Sequence, residues 1–402
     1  MTQIPKRHAA GTKQTSRWWI LTLLLAFPSF GFVQEYGGLV GVVLYLVAVI
    51  LSSGLICQFG NRAMPWLNRY FKVLSTLSLI ALTVGFIILH PFEDNRGPGK
   101  SSDRNEGLEL AVRRMTEGKS PYYPARVFPG PLSVLPGSII LSAPFVAVGN
   151  SGYQNIFWLA VFLAAMAWRF RDKALALILF IVPLALSPAA QYEFISGGDL
   201  ITNSIFVGIF ALLALESWSN PGKLGWLRWG ACILLGLSLA SRANFILLVP
   251  LFGAALWRIT GPRVAIAATS IVILTTLATC LPFYLQDPSG FTPLGSSRKL
   301  GIVNDALPWA GTAMIGMTMI AAMAGTIFIL IGKRDEPVSS FFRGCAWVTL
   351  TPMVCAVLLS SWVHGKLDFG FLHDRFGLMY VFFALLGWGI SWSPLTLSSQ
   401  EI

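Results

Sequence analysis

Long apolar runs recur from Trp18 to Trp392, each of about 16 to 24 residues. A run of that length suits one helix crossing a hydrocarbon core about 30 Å thick, which takes about 20 residues. Composition points the same way. Apolar residues make up 55% of the chain and charged ones 12%, with a mean hydropathy of +0.67, whereas a soluble domain carries about 25% charge. Spans are expected near 18–34, 38–57, 73–90, 152–168, 173–190, 199–217, 226–241, 243–258, 262–284, 308–331, 341–362 and 371–390. The first follows Lys6, Arg7, Lys13 and Arg17 and has no small-residue cleavage site, so it reads as an uncleaved span rather than a leader.

The net charge of +11 is distributed as a topology signal. Arg62, Arg69 and Lys72 fall in one connection, and Arg169, Arg171 and Lys173 fall in the next on that side. Lys223 with Arg228, Arg258 with Arg263, and Lys333, Arg334 with Arg343 follow on alternate turns. The positive-inside rule puts all of them, and both termini, in the cytoplasm. No basic helix carries interleaved aromatics on a polar background, which excludes a nucleic-acid partner. Cys57, Cys232, Cys280, Cys345 and Cys355 lie in or beside apolar runs without a CxxC pair, so they read as small apolar side chains.

Residues 131–149 are apolar enough to cross, yet counting them as a span would turn every later basic loop outward. Their prolines and glycines also weaken a straight helix. They read as a re-entrant or interfacial helix on the outer side. The expected fold is therefore an all-α polytopic membrane protein with about 12 transmembrane helices, an outer-face amphipathic helix and this re-entrant segment. It forms one transmembrane domain over 1–402, with a cytoplasmic tail at 1–17 and a large outer loop at 91–130. The setting expected for it is the plasma membrane of a bacterium, among membrane lipids.

That loop holds Glu93, Asp94, Asp103, Glu106, Glu109 and Glu117, six of the 18 acids. From Asp103 the pattern is helical, with Leu108, Ala111, Val112 and Met115 on one stripe and Glu109–Arg113 and Arg113–Glu117 as i,i+4 pairs. Gly118 and Pro121 end it. Asp103 and Glu106 have the form of a capping box. An N-cap carboxylate is also placed as a general base at the membrane face would need to be. Glu193 and Asp199 flank a short outer turn. Arg242 lies between two apolar runs, either snorkelling at a span boundary or bound to an anion. His364, Lys366, Asp368, His373, Asp374 and Arg375 gather in the last outer loop. Two histidines among carboxylates suit a divalent metal, although their spacing matches no zinc motif, and no cofactor is otherwise indicated. No cytoplasmic region is large enough to fold around a nucleotide, so a transferase of this kind must draw its activated donor from the membrane.

Asp103-Arg-Asn-Glu-Gly-Leu-Glu-Leu-Ala111 leads through Gly118-Lys119-Ser120-Pro121-Tyr122 to Phe128-Pro129-Gly130-Pro131-Leu132. This stretch resembles the GT-C class of membrane glycosyltransferases, which includes polyprenyl-phosphate-sugar-dependent mannosyltransferases. Gly198-Asp199-Leu200, Leu239-Ala240-Ser241-Arg242, the Pro282-Phe283…Asp287-Pro288…Phe291 turn and His373-Asp374-Arg375-Phe376 resemble later positions of that class. The chain departs from the pattern in having Arg104 where a second acid often follows the first, and in having three spans before the large loop. The resemblance implies transfer of a mannose-like hexose from a polyprenyl-phosphate carrier to a glycan, lipid or protein acceptor at the outer face. Asp103 would be the base, with Glu106 or Asp199 orienting sugar or acceptor. Arg242, Arg375 and His373 would contact the donor, and Tyr122 and Tyr123 would stack on sugar. The rival readings are a polytopic transporter and a glycan polymerase or ligase using a lipid-linked donor.

Overall fold

The computed structural model describes residues 19–94, 104–123, 132–170, 172–295, 307–332, 337–372 and 377–392. Among them every regular element is helical: α1 (Phe30–Arg69), α2 (Phe71–Asp94), α3 (Arg104–Thr116), α4 (Pro136–Ala147), α5 (Tyr153–Arg169), α6 (Lys173–Leu186), α7 (Pro188–Ile195), α8 (Leu200–Ser219), α9 (Arg228–Leu239), α10 (Val249–Thr260), α11 (Pro262–Gln286), α12 (Ala310–Ile331), α13 (Pro337–His364) and α14 (Leu378–Trp392), with short helical turns between some of them. Seven helices are long and apolar enough to cross a membrane, or eight if the bent pair α6–α7 is one span. The chain is a multi-pass helical membrane protein.

One of the seven, Trp19–Gly60, is two arms. Gly38 lies within it at φ 59, ψ −162, a backbone region that only glycine enters without strain. The Phe30 and Tyr45 rings stand 6.2 Å apart, and a Cβ on Gly54 would lie 3.7 Å from the Trp19 ring. Along one straight helix those pairs would be about 22 Å and about 52 Å apart. The segment therefore doubles back at Gly38 as a helical hairpin, the arrangement expected for separate runs at 18–34 and 38–57.

α8 is the centre of the bundle. All but three of its 20 residues are buried, as a helix apolar on every side requires. Its ends, about 30 Å apart, belong to two different layers. At the Ser219 end the basic connections meet. Asn68 Nδ2 donates to Asp172 at 2.7 Å, Arg169 pairs with Glu216 at 2.6 Å, and Arg228 stacks on Trp218. At the Asp199 end lie α3, α4 and the turns around 150, 195 and 242. The charge-sorted connections 62–72, 169–173 and 223–228 thus share one end, opposite the large loop.

Several expected spans are shorter or broken. The 226–241 run is short, α9 preceded by a 3-10 turn at Gly225–Leu227, whereas the 243–258 run is long enough to cross, a 3-10 turn at Ala243–Leu248 running straight into α10. In the last run α14 covers Leu378–Trp392, a 3-10 turn covers Gly370–Leu372, and 373–376 lie outside the described residues. α6 and α7 meet at 89°, where Pro188 starts a new helix capped by Ser187. The 131–149 segment forms α4, whose 12 residues cover about 18 Å, too short to cross.

Candidate functional site

α3 carries the expected stripe inward. Leu108, Ala111 and Val112 are buried, and Gly118 at φ 71 closes the helix. The outward charge pairs differ from expectation. Glu109 turns inward and accepts the Ser151 amide at 2.9 Å, while Glu117 takes Lys119 at 2.8 Å. Ser151 Oγ also donates to the Asn105 carbonyl. α3 is therefore pinned to the turn before α5 rather than lying free on a surface.

α9 stops at Leu239, and Arg242 takes an extended backbone, φ −146, ψ 139. Breaking a helix here frees carbonyl groups that lipid cannot satisfy. The start of α4 satisfies them: Leu135 N–H donates to Ser241 O at 2.9 Å and Gly137 N–H to Ala240 O at 2.7 Å. A Cβ at residue 137 would fall 2.3 Å from Leu237 O, so only glycine lets the two backbones meet. The start of α4 is the cap of the break between α9 and the turn that leads into α10.

The break turns Arg242 inward. Its side chain is buried, and Nη2 lies 2.6 Å from both carboxylate oxygens of Asp199. Nη1 reaches Ser133 Oγ at 3.2 Å, while Nε has no hydrogen-bond partner. Asp199 also accepts Asn203 Nδ2 at 2.6 Å, and Asn203 in turn accepts Ser138 Oγ at 3.1 Å. Burying Arg242 this way rules out the snorkelling role. Asp199, expected to orient sugar or acceptor, is the counter-ion of Arg242.

Asp199 is delivered by a tight turn. Gly197 has φ 69, and a Cβ at Gly198 would overlap the Glu193 carboxylate at 2.2 Å. Glu193 is fully buried, accepts the Leu200 amide at 2.9 Å and lies 3.9 Å from Arg104 Nη1. His90 braces the same turn. Its Nδ1 donates to the Ile195 carbonyl at 2.8 Å, and Nε2 accepts Asn150 Nδ2 at 2.9 Å. Those partners fix the neutral tautomer protonated on Nδ1.

Tyr122 and Tyr123 do not line this site. Both are buried in a satellite core with Leu108, Val112, Leu135 and Phe291. The Tyr122 ring meets Phe291 edge-on at 4.9 Å, and its hydroxyl donates to Val134 O at 3.2 Å. Burial pushes that hydroxyl well above the usual phenol range. The rings pack, which explains why the Asp287 turn matters: it seats Phe291. The Gly290 amide and the Ser289 hydroxyl hold the Asp287 carboxyl below the usual carboxylate range.

Glu106 is on the exposed side of the first turn of α3. Asp103, Arg375 and His373 lie outside the described residues. In the last outer loop His364 Nδ1 pairs with Asp368 at 2.8 Å, and Ser360 Oγ donates to the same carboxylate at 2.5 Å. Among the described residues no three His, Cys, Asp or Glu side chains are grouped to hold a metal ion. Arg104 from α3 and Ser133 from the segment before α4 join the site without a local signal, whereas Glu193 flanks the same expected turn as Asp199 and Asn203 stands four residues after Asp199 on α8. No protein-family model, curated protein or solved structure matches the chain.

Proposed function

We propose that this protein is a GT-C-type glycosyltransferase that crosses a bacterial plasma membrane twelve times and transfers a mannose-like hexose from a polyprenyl-phosphate carrier. The basic connections and both termini face the cytoplasm, and transfer occurs at the outer face. Twelve passes follow if, beside the seven long helices, the second hairpin arm, the bent α6–α7 pair and the shorter helices α5, α9 and α14 each count as one. The observation that carries the functional reading is Arg242, buried at the break between two half-helices at the end opposite the basic loops. A guanidinium there meets phosphate with planar paired donors. The polar interior supports transfer over transport. Among the described residues the buried charged side chains Glu93, Glu193, Asp199, Glu216 and Arg242 all lie at one end or the other, whereas transport calls for such groups near mid-membrane.

In the reaction, the acceptor hydroxyl oxygen attacks the anomeric carbon, and its proton passes to a carboxylate, assigned by resemblance to Asp103. The bond from that carbon to the phosphate oxygen breaks, and its electron pair leaves with the carrier phosphate. Arg242 stabilises the charge that develops there. The test is incubation of purified protein with a panel of polyprenyl-phosphate sugars and an acceptor-rich membrane extract. Release of free polyprenyl phosphate from one of them is expected. Release from none, with the protein folded, refutes the reading.

A further inference from the structure

Two arginines, rather than one, stand by the turn that carries Asp199. Arg104 opens α3 with its side chain 16% exposed and faces Glu193, whose carboxylate accepts the Leu200 amide next to Asp199. Arg104 Nη1 lies 3.9 Å from Glu193 Oε1. Glu193 itself cannot follow a movement of Arg104. It is held by the Leu200 amide at 2.9 Å and sits where a Cβ on Gly198 would be. The four charges Arg104, Arg242, Glu193 and Asp199 sum to zero, so an incoming anion gains either guanidinium only by exchange. Both acids are built for that exchange, because each keeps a neutral donor when its arginine turns away: Leu200 N–H for Glu193 and Asn203 Nδ2 for Asp199. Arg242 has a donor to offer at once, since its buried Nε has no partner.

We infer that Arg104 is a second phosphate-binding arginine, and that it makes the site prefer a dianionic phosphate monoester over a monoanionic phosphodiester. The inference rests on the transferase reading. There the donor is a phosphodiester with one negative charge. When the bond between the anomeric carbon and phosphate oxygen breaks, the electron pair stays on oxygen and the carrier leaves as a monoester, whose second pKa is about 6. Arg242 meets the charge present throughout, and Arg104 meets the one that appears. An interaction gained only as charge develops lowers the barrier rather than tightening the ground state. The same preference makes free carrier phosphate an inhibitor of its own release step.

The experiment measures binding of a short-chain prenyl phosphate monoester and its methyl diester to detergent-purified protein by calorimetry at pH 8. Wild type is expected to bind the monoester about tenfold or more tightly than the diester, the scale of one charge-assisted contact. Arg104→Gln should abolish that preference and leave diester affinity within about twofold, while Arg242→Gln should weaken both ligands. Arg104→Gln leaves Glu193 buried without its counter-charge, so Arg104→Gln/Glu193→Gln, which removes both charges, is measured beside it. The preference persisting in either Arg104 variant overturns the inference alone and leaves the transferase reading standing. Wild type binding neither ligand removes the phosphate-carrier reading and the inference with it.

Discussion

Arg242→Ala strands Asp199 as a buried carboxylate. The two charge centres lie about 4 Å apart, where attraction at an effective dielectric near 20 is worth about 4 kcal/mol. Asn203 stays on the carboxylate but cannot neutralise it, so truncation should cost about 3–5 kcal/mol of stability, the range for breaking a buried pair. Asp199→Asn should also destabilise, since it leaves the guanidinium uncompensated. Asp199→Asn/Arg242→Gln removes both charges and should be more stable than the sum of the singles by about 2–3 kcal/mol. Unfolding of the purified protein in mixed micelles by increasing SDS, followed by tryptophan fluorescence, measures all three. A cost below about 1 kcal/mol for Arg242→Ala, or a double variant no better than the sum, refutes the bonded pair. The double variant also separates fold from function. If it is stable and releases no carrier phosphate, the pair serves the reaction; with wild-type turnover it is a brace.

Asp103→Asn, which preserves an N-cap, should express normally and lose transfer by a factor of about 10² or more; near-normal release of carrier phosphate would move the base to Glu106 or Asp94. In a background without native cysteines, a membrane-impermeant maleimide should label Thr116→Cys from outside and Ser219→Cys only after permeabilisation, and labelling of both from one side breaks the assigned orientation. Gly198→Ala puts a methyl 2.2 Å from the Glu193 carboxylate and should cost about 1–3 kcal/mol in the same SDS titration; wild-type stability would show that Glu193 is free to move.

Length and apolarity made the spans legible, and charge made their order legible. The two-armed hairpin at Gly38 was readable because glycine and a polar interval separate two apolar runs. α4 was readable as a non-crossing segment because prolines and glycines shorten it. Helix ends within long apolar runs were not. Nothing local stops α9 at Leu239; the stop holds because Leu135 and Gly137, a hundred residues earlier in the chain, supply the amides that satisfy its last carbonyls. The site divides in the same way. An arginine between apolar runs calls for an anion, and that much is local. Asp199 is identified as that anion only when the start of α8 and the end of α9 come together. The resemblance gives Tyr122 and Tyr123 a sugar-stacking role, yet Tyr122 packs edge-on against Phe291 from the second outer loop and Tyr123 is buried in the same cluster.

The irregular backbone of this molecule is unevenly distributed. The hairpin turn at Gly38, the 89° bend before α7, the Gly197–Gly198 turn, the capped start of α4 and the break at Arg242 all lie toward the end of the bundle that holds Asp199. At the other end the described connections are short, with Asn68 donating to Asp172 and Arg169 paired with the buried Glu216. Non-helical backbone near lipid is tolerated only where protein satisfies its polar groups, and here this takes specific devices such as a glycine 2.3 Å from a carbonyl. A scaffold has no need of them, because continuous helices would span the bilayer with fewer constraints. Replacing a buried ion pair by packed apolar side chains is also often neutral or stabilising, so packing alone does not account for Arg242 and Asp199. What the irregular end achieves is to bring Arg104, Arg242 and the Glu193–Asp199 turn from three separate segments to one place, each acid held by a second donor. In the proposed reaction, that arrangement is what would let a phosphate exchange into the cluster without leaving either carboxylate bare.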